Sequence, residues 1–193
     1  HEPDTLPPGS ALTLETLAAR YAAALTDRQP TGPYRLIGHS FGAQLAFEIA
    51  CQLHTQGKQV AFLGLIDDSA DLDKRHFAIA RSKATPERLQ DKLKHLLRAY
   101  VPRVYHGPIT LFQTRALPPE ALADACTGWC DMTMGCVERY VVPGDHVTVM
   151  SAAIAAQWSD LLRQCLDKSI SEPVCPPATD AQNRDGRSRE ITT

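Results

Sequence analysis

A serine flanked by glycines lies where an apolar stretch passes into a helical pattern. Residues 34–37 (YRLI) are typical of a short strand, and Gly38 to Gly42 (GHSFG) lead into the helix. A Gly-x-Ser-x-Gly turn between strand and helix is the setting of a nucleophile elbow, where the small residues Gly38 and Gly42 allow a tight turn. The N–H of Phe41, the first amide of the helix, could then stabilise an oxyanion. The pattern predicts Ser40 as a nucleophile; the alternative is a plain turn of small residues.

A serine hydroxyl needs a base, and the chain has seven histidines. In a parallel α/β sheet, reacting groups gather at the carboxyl ends of the strands. His146 follows a predicted strand at 137–142 and precedes a helix, so we expect it to be the base. The alternative is a loop histidine hydrogen-bonded to Asp145. The other candidates lie before a strand (His106), at a helix end (His54), in a polar helical stretch (His76 and His95) or in the elbow, where His39 is expected to point away from Ser40.

The base needs a carboxylate that fixes its tautomer. Asp67 directly follows the apolar run 60–66 (VAFLGLI) and lies 27 residues after Ser40, which is enough chain for one helix and one strand. Asp68 is the rival, because an error of one residue in register would exchange the two. Either aspartate could instead cap a helix or end a strand. With Asp67 as the acid, the order Ser, Asp, His is that of the α/β-hydrolases.

The elements that must position these residues alternate between helix and strand. Residues 13–25 form a predicted helix with Thr13 as N-cap, and 41–54 form the helix behind Ser40. The apolar run 60–66 is typical of a parallel strand buried on both faces. The remaining predictions are strands at 34–37, 108–113 and 137–142, a charged, helix-prone stretch at 71–99, and a final helix at 149–166. This alternation predicts a parallel sheet with helices on both faces.

Composition excludes several classes of function. The chain has 193 residues and a net charge of −2, so it has room for one domain and no basic surface for nucleic acid. No apolar run approaches the ~18 residues of a membrane span. The spacing of Cys126, Cys130 and Cys136 fits no common zinc pattern, so no metal is expected. We predict reduced cysteines and a cytoplasmic location.

One family resemblance covers roughly residues 10–166. The stretch 28–70 (RQPTGPYRLIGHSFGAQLAFEIACQLHTQGKQVAFLGLIDDSA) closely resembles the thioesterase domains of nonribosomal peptide synthetases and related polyketide synthases, which have the α/β-hydrolase fold. Two later stretches, 100–115 (YVPRVYHGPITLFQTR) and 128–150 (GWCDMTMGCVERYVVPGDHVTVM), are similar to later segments of the same domains. Such domains serve the assembly-line biosynthesis of secondary metabolites.

The resemblance implies an activity and a partner. Ser40 would accept an acyl chain from the 4′-phosphopantetheine thioester of a carrier protein, expected upstream in the same polypeptide. His146 would deprotonate Ser40, Asp67 would orient His146, and the Phe41 amide would bind the oxyanion. Water or an internal nucleophile would then release the chain, by hydrolysis or macrocyclisation. No bound cofactor is expected. The alternatives are a generic carboxylesterase or lipase, and a non-catalytic remnant that only binds a carrier protein.

The sequence departs from the family pattern at two places. The strands with which such domains normally begin are not found before the first helix, so the resemblance implies an α/β-hydrolase fold truncated at its N-terminus. An early loop that would supply the second oxyanion amide is missing with them. The lid is expected to be short, at about 71–97. The prediction is thus a thioesterase domain at 1–168 with a disordered tail at 169–193.

Overall fold

A computed structural model describes residues 12–70, 87–116 and 128–171. The helices are α1 (Leu14–Arg28), α2 (Phe41–Thr55), α3 (Glu87–Ala99) and α4 (Ala152–Ser171), with a short 3-10 helix at Trp129–Met132. The strands are β1 (Tyr34–His39), β2 (Val60–Ile66), β3 (Ile109–Thr114) and β4 (Val137–Val142). Most of the predicted lid and nearly all of the predicted tail lie outside the described residues, so both stay predictions.

The four strands form one parallel sheet in the order β1-β2-β3-β4. Side chains of a strand alternate between the two faces of a sheet. Ile109 and Leu111 of β3 therefore pack with α1 and α2 on one face, in a cluster that includes Ala18 and Phe47. Phe112 faces the other side, where α4 covers the sheet in a cluster with Val142, Trp158 and Cys165. The predicted α/β class, a mostly parallel sheet with helices on both faces, is confirmed.

The predicted element boundaries differ in accuracy for physical reasons. β2 and β4 have the predicted limits: β2 is an unbroken apolar run that ends before Asp67, and β4 (VERYVV) ends before Pro143. β3 begins at Ile109 rather than 108, where proline has no N–H for the ladder. α4 begins at Ala152 rather than Val149, because Asp145 holds the preceding residues in a turn: its Oδ1 accepts the N–H groups of residues 147 and 148 at 2.9 Å. α4 then continues to Ser171, beyond the predicted domain end at residue 168.

The sheet direction brings several chain segments to one edge. β1, β2 and β4 end at His39, Ile66 and Val142, so the residues that follow them lie at the carboxyl ends of parallel strands. Ser40 donates its main-chain N–H to the carbonyl of Ile66 at 3.2 Å, which ties the turn after β1 to the end of β2.

Candidate active site

Ser40 occupies the turn between β1 and α2 in a backbone conformation that few L-residues adopt. Its φ is +56° and its ψ is −127°. Such strain persists only where the surrounding structure fixes it, and it is common at functional sites. α2 begins at the next residue, Phe41, so the Phe41 N–H belongs to the amino end of a helix whose amides point towards the turn.

The two elbow glycines have different steric roles. A Cβ added to Gly38 would lie 2.0 Å from the main-chain oxygen of Gly42, a distance that backbone atoms cannot tolerate. A Cβ added to Gly42 would meet no described atom within 4 Å. The sequence pattern predicted small residues on both sides of Ser40, but among the described residues only Gly38 is sterically required.

This difference predicts opposite outcomes for two alanine substitutions. Gly38→Ala should lower the free energy of unfolding by about 3 kcal/mol, because overpacking against the backbone forces the turn to shift. Gly42→Ala should change it by about 1 kcal/mol or less, since alanine fits the first turn of α2. Urea denaturation of both variants and the wild type measures the difference. Equal losses in the two variants would show that the turn is not packed as described.

His146 lies in the loop after β4 and is only 5% exposed. Its Nε2 is 3.0 Å from the Oγ of Ser40, and its Nδ1 is 2.8 Å from the Oδ2 of Asp67. The neighbouring Asp145, which the sequence offered as an alternative partner, instead accepts main-chain N–H groups of the turn that follows. The structure thus brings Ser40, His146 and Asp67 into one hydrogen-bonded row.

Asp67 is held from two sides. It follows β2 with a φ of +48°, and its own N–H donates to the carbonyl of Phe112 at 2.8 Å. While Oδ2 faces His146, Oδ1 accepts both the N–H and the hydroxyl of Thr114, at 3.1 and 2.7 Å. Thr114 is the last residue of β3 and is buried. Both carboxylate oxygens therefore have hydrogen-bond partners, which hold the side chain of Asp67 in one orientation.

Asp68, the rival acid, lies elsewhere. Its Oδ2 accepts a hydrogen bond from Nε2 of Gln44 at 2.5 Å, and the same Nε2 is 2.9 Å from the carbonyl of Ser69. Gln44 is completely buried in α2, one turn after Ser40. The turn that carries Asp67 is therefore fastened to the helix that carries Ser40.

The hydrogen bonds around Asp67 determine its charge. Burial raises the pKa of this carboxyl, but the hydrogen bonds from His146 and Thr114 outweigh burial and lower the pKa below its ordinary value of 3.8. Asp67 is therefore ionised at neutral pH and can only accept hydrogen bonds. The Nδ1 of His146 must then carry the proton, which leaves Nε2 free to accept one from Ser40.

Loss of the Thr114 hydroxyl should have a pH-dependent effect on stability. A lowered carboxyl pKa stabilises the fold above the unfolded value near 3.8, and this contribution is lost as pH falls through the folded value. Thr114→Val should lower the free energy of unfolding by about 2 kcal/mol at pH 7, the usual size for a hydrogen bond to a charged group. The difference from wild type should shrink below about pH 4, as Asp67 becomes protonated.

A matched control exists on the same strand. Thr110 lies on the same face of β3, and its hydroxyl makes no hydrogen bond to the described residues. Thr110→Val should change stability by about 0.5 kcal/mol or less at both pH values. Urea denaturation at pH 7 and pH 3 measures both variants. An effect of Thr114→Val that is equal at the two pH values would contradict a role through the Asp67 charge.

Three residues contribute to the site in ways that the sequence analysis did not predict. Thr114 carries a weak signal, because a hydroxyl directly after an apolar strand lies at the carboxyl edge. The only signal for Gln44 in the sequence is that it is a polar residue in an apolar helix. His39 was expected to point away from Ser40, and its contact with the base was not predicted: its ring centroid lies 4.8 Å from that of His146.

The other groups with chemical potential lie apart from this site. His54 and His106 stack on each other at 5.2 Å, where α2 ends and before β3 begins, which is the opposite edge of the sheet. In the described ranges, no group of three or more His, Cys, Asp or Glu side chains could hold a metal. The expectation of reduced cysteines is wrong at Cys130, which is disulfide-bonded, whereas Cys51, Cys136 and Cys165 form no disulfide bond. The partner of Cys130 lies outside the described residues.

Comparison with known proteins finds similarity to thioesterase domains, both in a family model and among solved structures. A family model described as a thioesterase domain matches residues 6–99, a range that includes Ser40 and Asp67. A crystal structure of the NocB thioesterase domain, in a covalent complex with a fluorophosphonate nocardicin G analog, superposes with a TM-score of 0.63 at 26% identity, over 82% of this chain and 77% of that one. By sequence over residues 6–99, and by fold over most of its length, this chain is similar to thioesterase domains.

The curated relatives of this chain are much longer proteins. It is 46% identical over 55 residues to the nonribosomal peptide synthetase pngA of Aspergillus terreus, which is 28% of this chain and 6% of the relative. It is 28% identical over 188 residues to malpinin synthetase of Mortierella alpina, which is 82% of this chain and 2% of that protein. The chain therefore spans less than a tenth of the length of these relatives. None of the described helices is long and apolar enough to cross a membrane.

Proposed function

We propose that this thioesterase domain uses Ser40, His146 and Asp67 to release an acyl or peptidyl chain from the 4′-phosphopantetheine arm of a carrier protein. The observation that carries the proposal is the unbroken row of hydrogen bonds from Asp67 through His146 to Ser40, at 2.8 and 3.0 Å. Those distances are the ones a nucleophile, its base and the orienting acid need.

Acylation begins with a proton transfer. Nε2 of His146 takes the proton of Ser40 as Oγ attacks the thioester carbonyl, and the carbonyl oxygen becomes an oxyanion. The Phe41 N–H, at the start of α2, donates to that oxyanion. When the tetrahedral intermediate collapses, the carbon–sulfur bond breaks and the pantetheine thiolate takes the proton from His146. The acyl chain is then esterified to Ser40.

Release repeats the sequence with a second nucleophile. A water molecule, or an amine or hydroxyl of the acyl chain, attacks the ester carbonyl while His146 removes its proton. Collapse returns that proton to Oγ of Ser40 and frees either the acid or a ring. Asp67 stays ionised throughout and stabilises the positive charge that His146 carries in each half-reaction.

The carrier-linked substrate is supported by the relatives. pngA is a nonribosomal peptide synthetase by name, and a four-domain nonribosomal peptide synthetase in its holo form has the same fold in one part, at 20% identity and a TM-score of 0.60. We propose on this basis that the partner of this domain is an acyl or peptidyl carrier protein in the same polypeptide.

A substrate comparison tests the proposal. The kcat/KM of the domain is measured with an acyl-pantetheine thioester and with the p-nitrophenyl ester of the same acyl group, and Ser40→Ala is the blank for each. The p-nitrophenyl ester is intrinsically more reactive, so each kcat/KM is divided by the uncatalysed hydrolysis rate of its substrate. After that correction, we expect the thioester to be preferred. A strong preference for the ester would identify a generic esterase. No Ser40-dependent turnover of either substrate would favour a remnant that only binds a carrier protein.

A further inference from the structure

His39 is the last residue of β1 and directly precedes Ser40, yet it contacts the base rather than the nucleophile. Its ring centroid is 4.8 Å from that of His146, with 39° between the two ring planes. A ring at that distance fills the space beside the imidazole and limits how far it can rotate or tilt. Consecutive residues of one turn therefore supply the nucleophile, Ser40, and a side chain that packs against its base, His146.

A second interaction reaches the main chain of His146. The backbone of His146 acts on the His39 ring by hydrogen bonding, an effect that raises the pKa of His39 and opposes the lowering by burial. Nε2 of His39 is buried and has no partner among the described residues. His39 thus interacts with both the ring and the backbone of the same residue.

His39 is suited to this position as a neutral ring. Burial lowers its pKa, and a positive charge on His146 lowers it further, against opposing effects of Asp67 and of the His146 backbone. These are the charged groups of the described residues that act on it. A neutral ring adds no second cation beside His146 when that residue takes the proton of Ser40.

We propose that His39 is a positioning residue that holds His146 so that its Nε2 faces Ser40 while its Nδ1 faces Asp67. The inference rests on the proposed function, since it concerns the base of that reaction. His39 exchanges no proton with the substrate. It reduces the number of orientations from which His146 can act, and a misplacement of about 1 Å at a reacting group can cost about 10²-fold in rate.

Three substitutions separate the two contacts of His39. His39→Ala removes both, His39→Phe keeps the ring without a hydrogen-bond donor, and His39→Gln keeps a donor without a ring. Turnover of an acyl-pantetheine thioester gives kcat and KM, and the rate of covalent labelling by a fluorophosphonate reports the reactivity of Ser40 without carrier or substrate binding. His54→Ala is the matched control, because His54 also stacks on a histidine, His106, at the opposite edge of the sheet.

We expect His39→Ala to lower kcat and the labelling rate together by about 10- to 100-fold, with KM within about twofold of wild type. His39→Phe and His39→Gln should each recover part of the loss, and His54→Ala should match wild type in both assays. Circular dichroism corrects every rate for the folded fraction. If His39→Ala does not fold, the Phe and Gln variants carry the test.

Several results would overturn the inference. These are a His39→Ala variant with wild-type kcat and labelling rate, a loss confined to KM, a loss that disappears after correction for folding, or an equal loss in His54→Ala. A wild-type protein that is not labelled at Ser40 would defeat the proposed function instead. Failure of the positioning role and failure of the catalytic assignment are therefore distinguishable.

Discussion

Replacing Ser40 with alanine should reduce thioester turnover by about 10⁴-fold or more, while leaving the fold intact. Without Oγ no acyl-enzyme can form, so only water could attack the bound thioester. Removal of a triad nucleophile elsewhere leaves a residual acceleration from the oxyanion site and binding alone, and a small background rate is expected here for the same reason. Steady-state hydrolysis of an acyl-pantetheine thioester measures the loss.

A serine outside the site provides the control. Ser159 is exposed on α4, and its hydroxyl donates to the carbonyl of Ala156 at 3.1 Å. Ser159→Ala should retain turnover within about twofold of wild type, as expected for a surface substitution. If Ser40→Ala kept a rate within about tenfold of wild type, or if Ser159→Ala lost as much, Ser40 would not be the nucleophile.

Asp67→Asn should lower kcat by about 10⁴-fold, through the tautomer of His146. The Oδ1 position of Asp67 receives two donors from Thr114, so the asparagine oxygen must stay there. The amide NH₂ then takes the Oδ2 position, where it donates to Nδ1 of His146. The imidazole proton moves to Nε2, which points at Ser40 and can no longer accept its proton. The kcat of the purified variant, measured with an acyl-pantetheine thioester, checks this.

Asp68→Asn is the matched control for the acid. Its carboxylate is bound to Gln44 and not to His146, so we expect a loss of about tenfold or less, through a looser turn after β2. Thermal unfolding of both variants separates chemistry from stability. A large loss in Asp68→Asn with near-normal activity in Asp67→Asn would exchange the two aspartates and contradict the geometry described here.

The fold was predictable because short patterns of apolar and polar residues indicate its strands and helices. VAFLGLI at β2 has no polar residue, which is typical of a parallel strand covered on both faces. The rule that reacting groups gather at the carboxyl edge of a parallel sheet led to His146 and Asp67, and the structure brings both to Ser40. Their catalytic roles remain the proposal that the experiments above test.

Contacts that depend on backbone geometry could not be predicted. The contact of His39 with His146 joins the end of β1 to the loop after β4, and the choice between Asp67 and Asp68 follows from the positive φ of Asp67, which turns one carboxylate towards the base. Neither the contact nor the angle is visible in a residue type. The start of α4 was missed for a similar reason, because Asp145 satisfies the amides of a turn that helical periodicity alone would have made part of the helix.

The position of Gln44 shows how the parts of the site depend on each other. It is buried in α2 behind the nucleophile and bonds the turn that carries the acid. Thr114 braces the same acid from β3. Nucleophile, base and acid lie on different elements, so their geometry is a property of the folded sheet, and unfolding of any one element should abolish activity.

Covalent labelling tests the central claim most directly. The folded domain is incubated with a fluorophosphonate, and the site of attachment is mapped by mass spectrometry of proteolytic peptides, with Ser40→Ala and Asp67→Asn in parallel. The account predicts one adduct per chain, located on Ser40, absent from Ser40→Ala and formed far more slowly in Asp67→Asn. A folded wild-type protein that gains no adduct, or one that carries it on another residue, would contradict the assignment of Ser40, His146 and Asp67 as the catalytic groups.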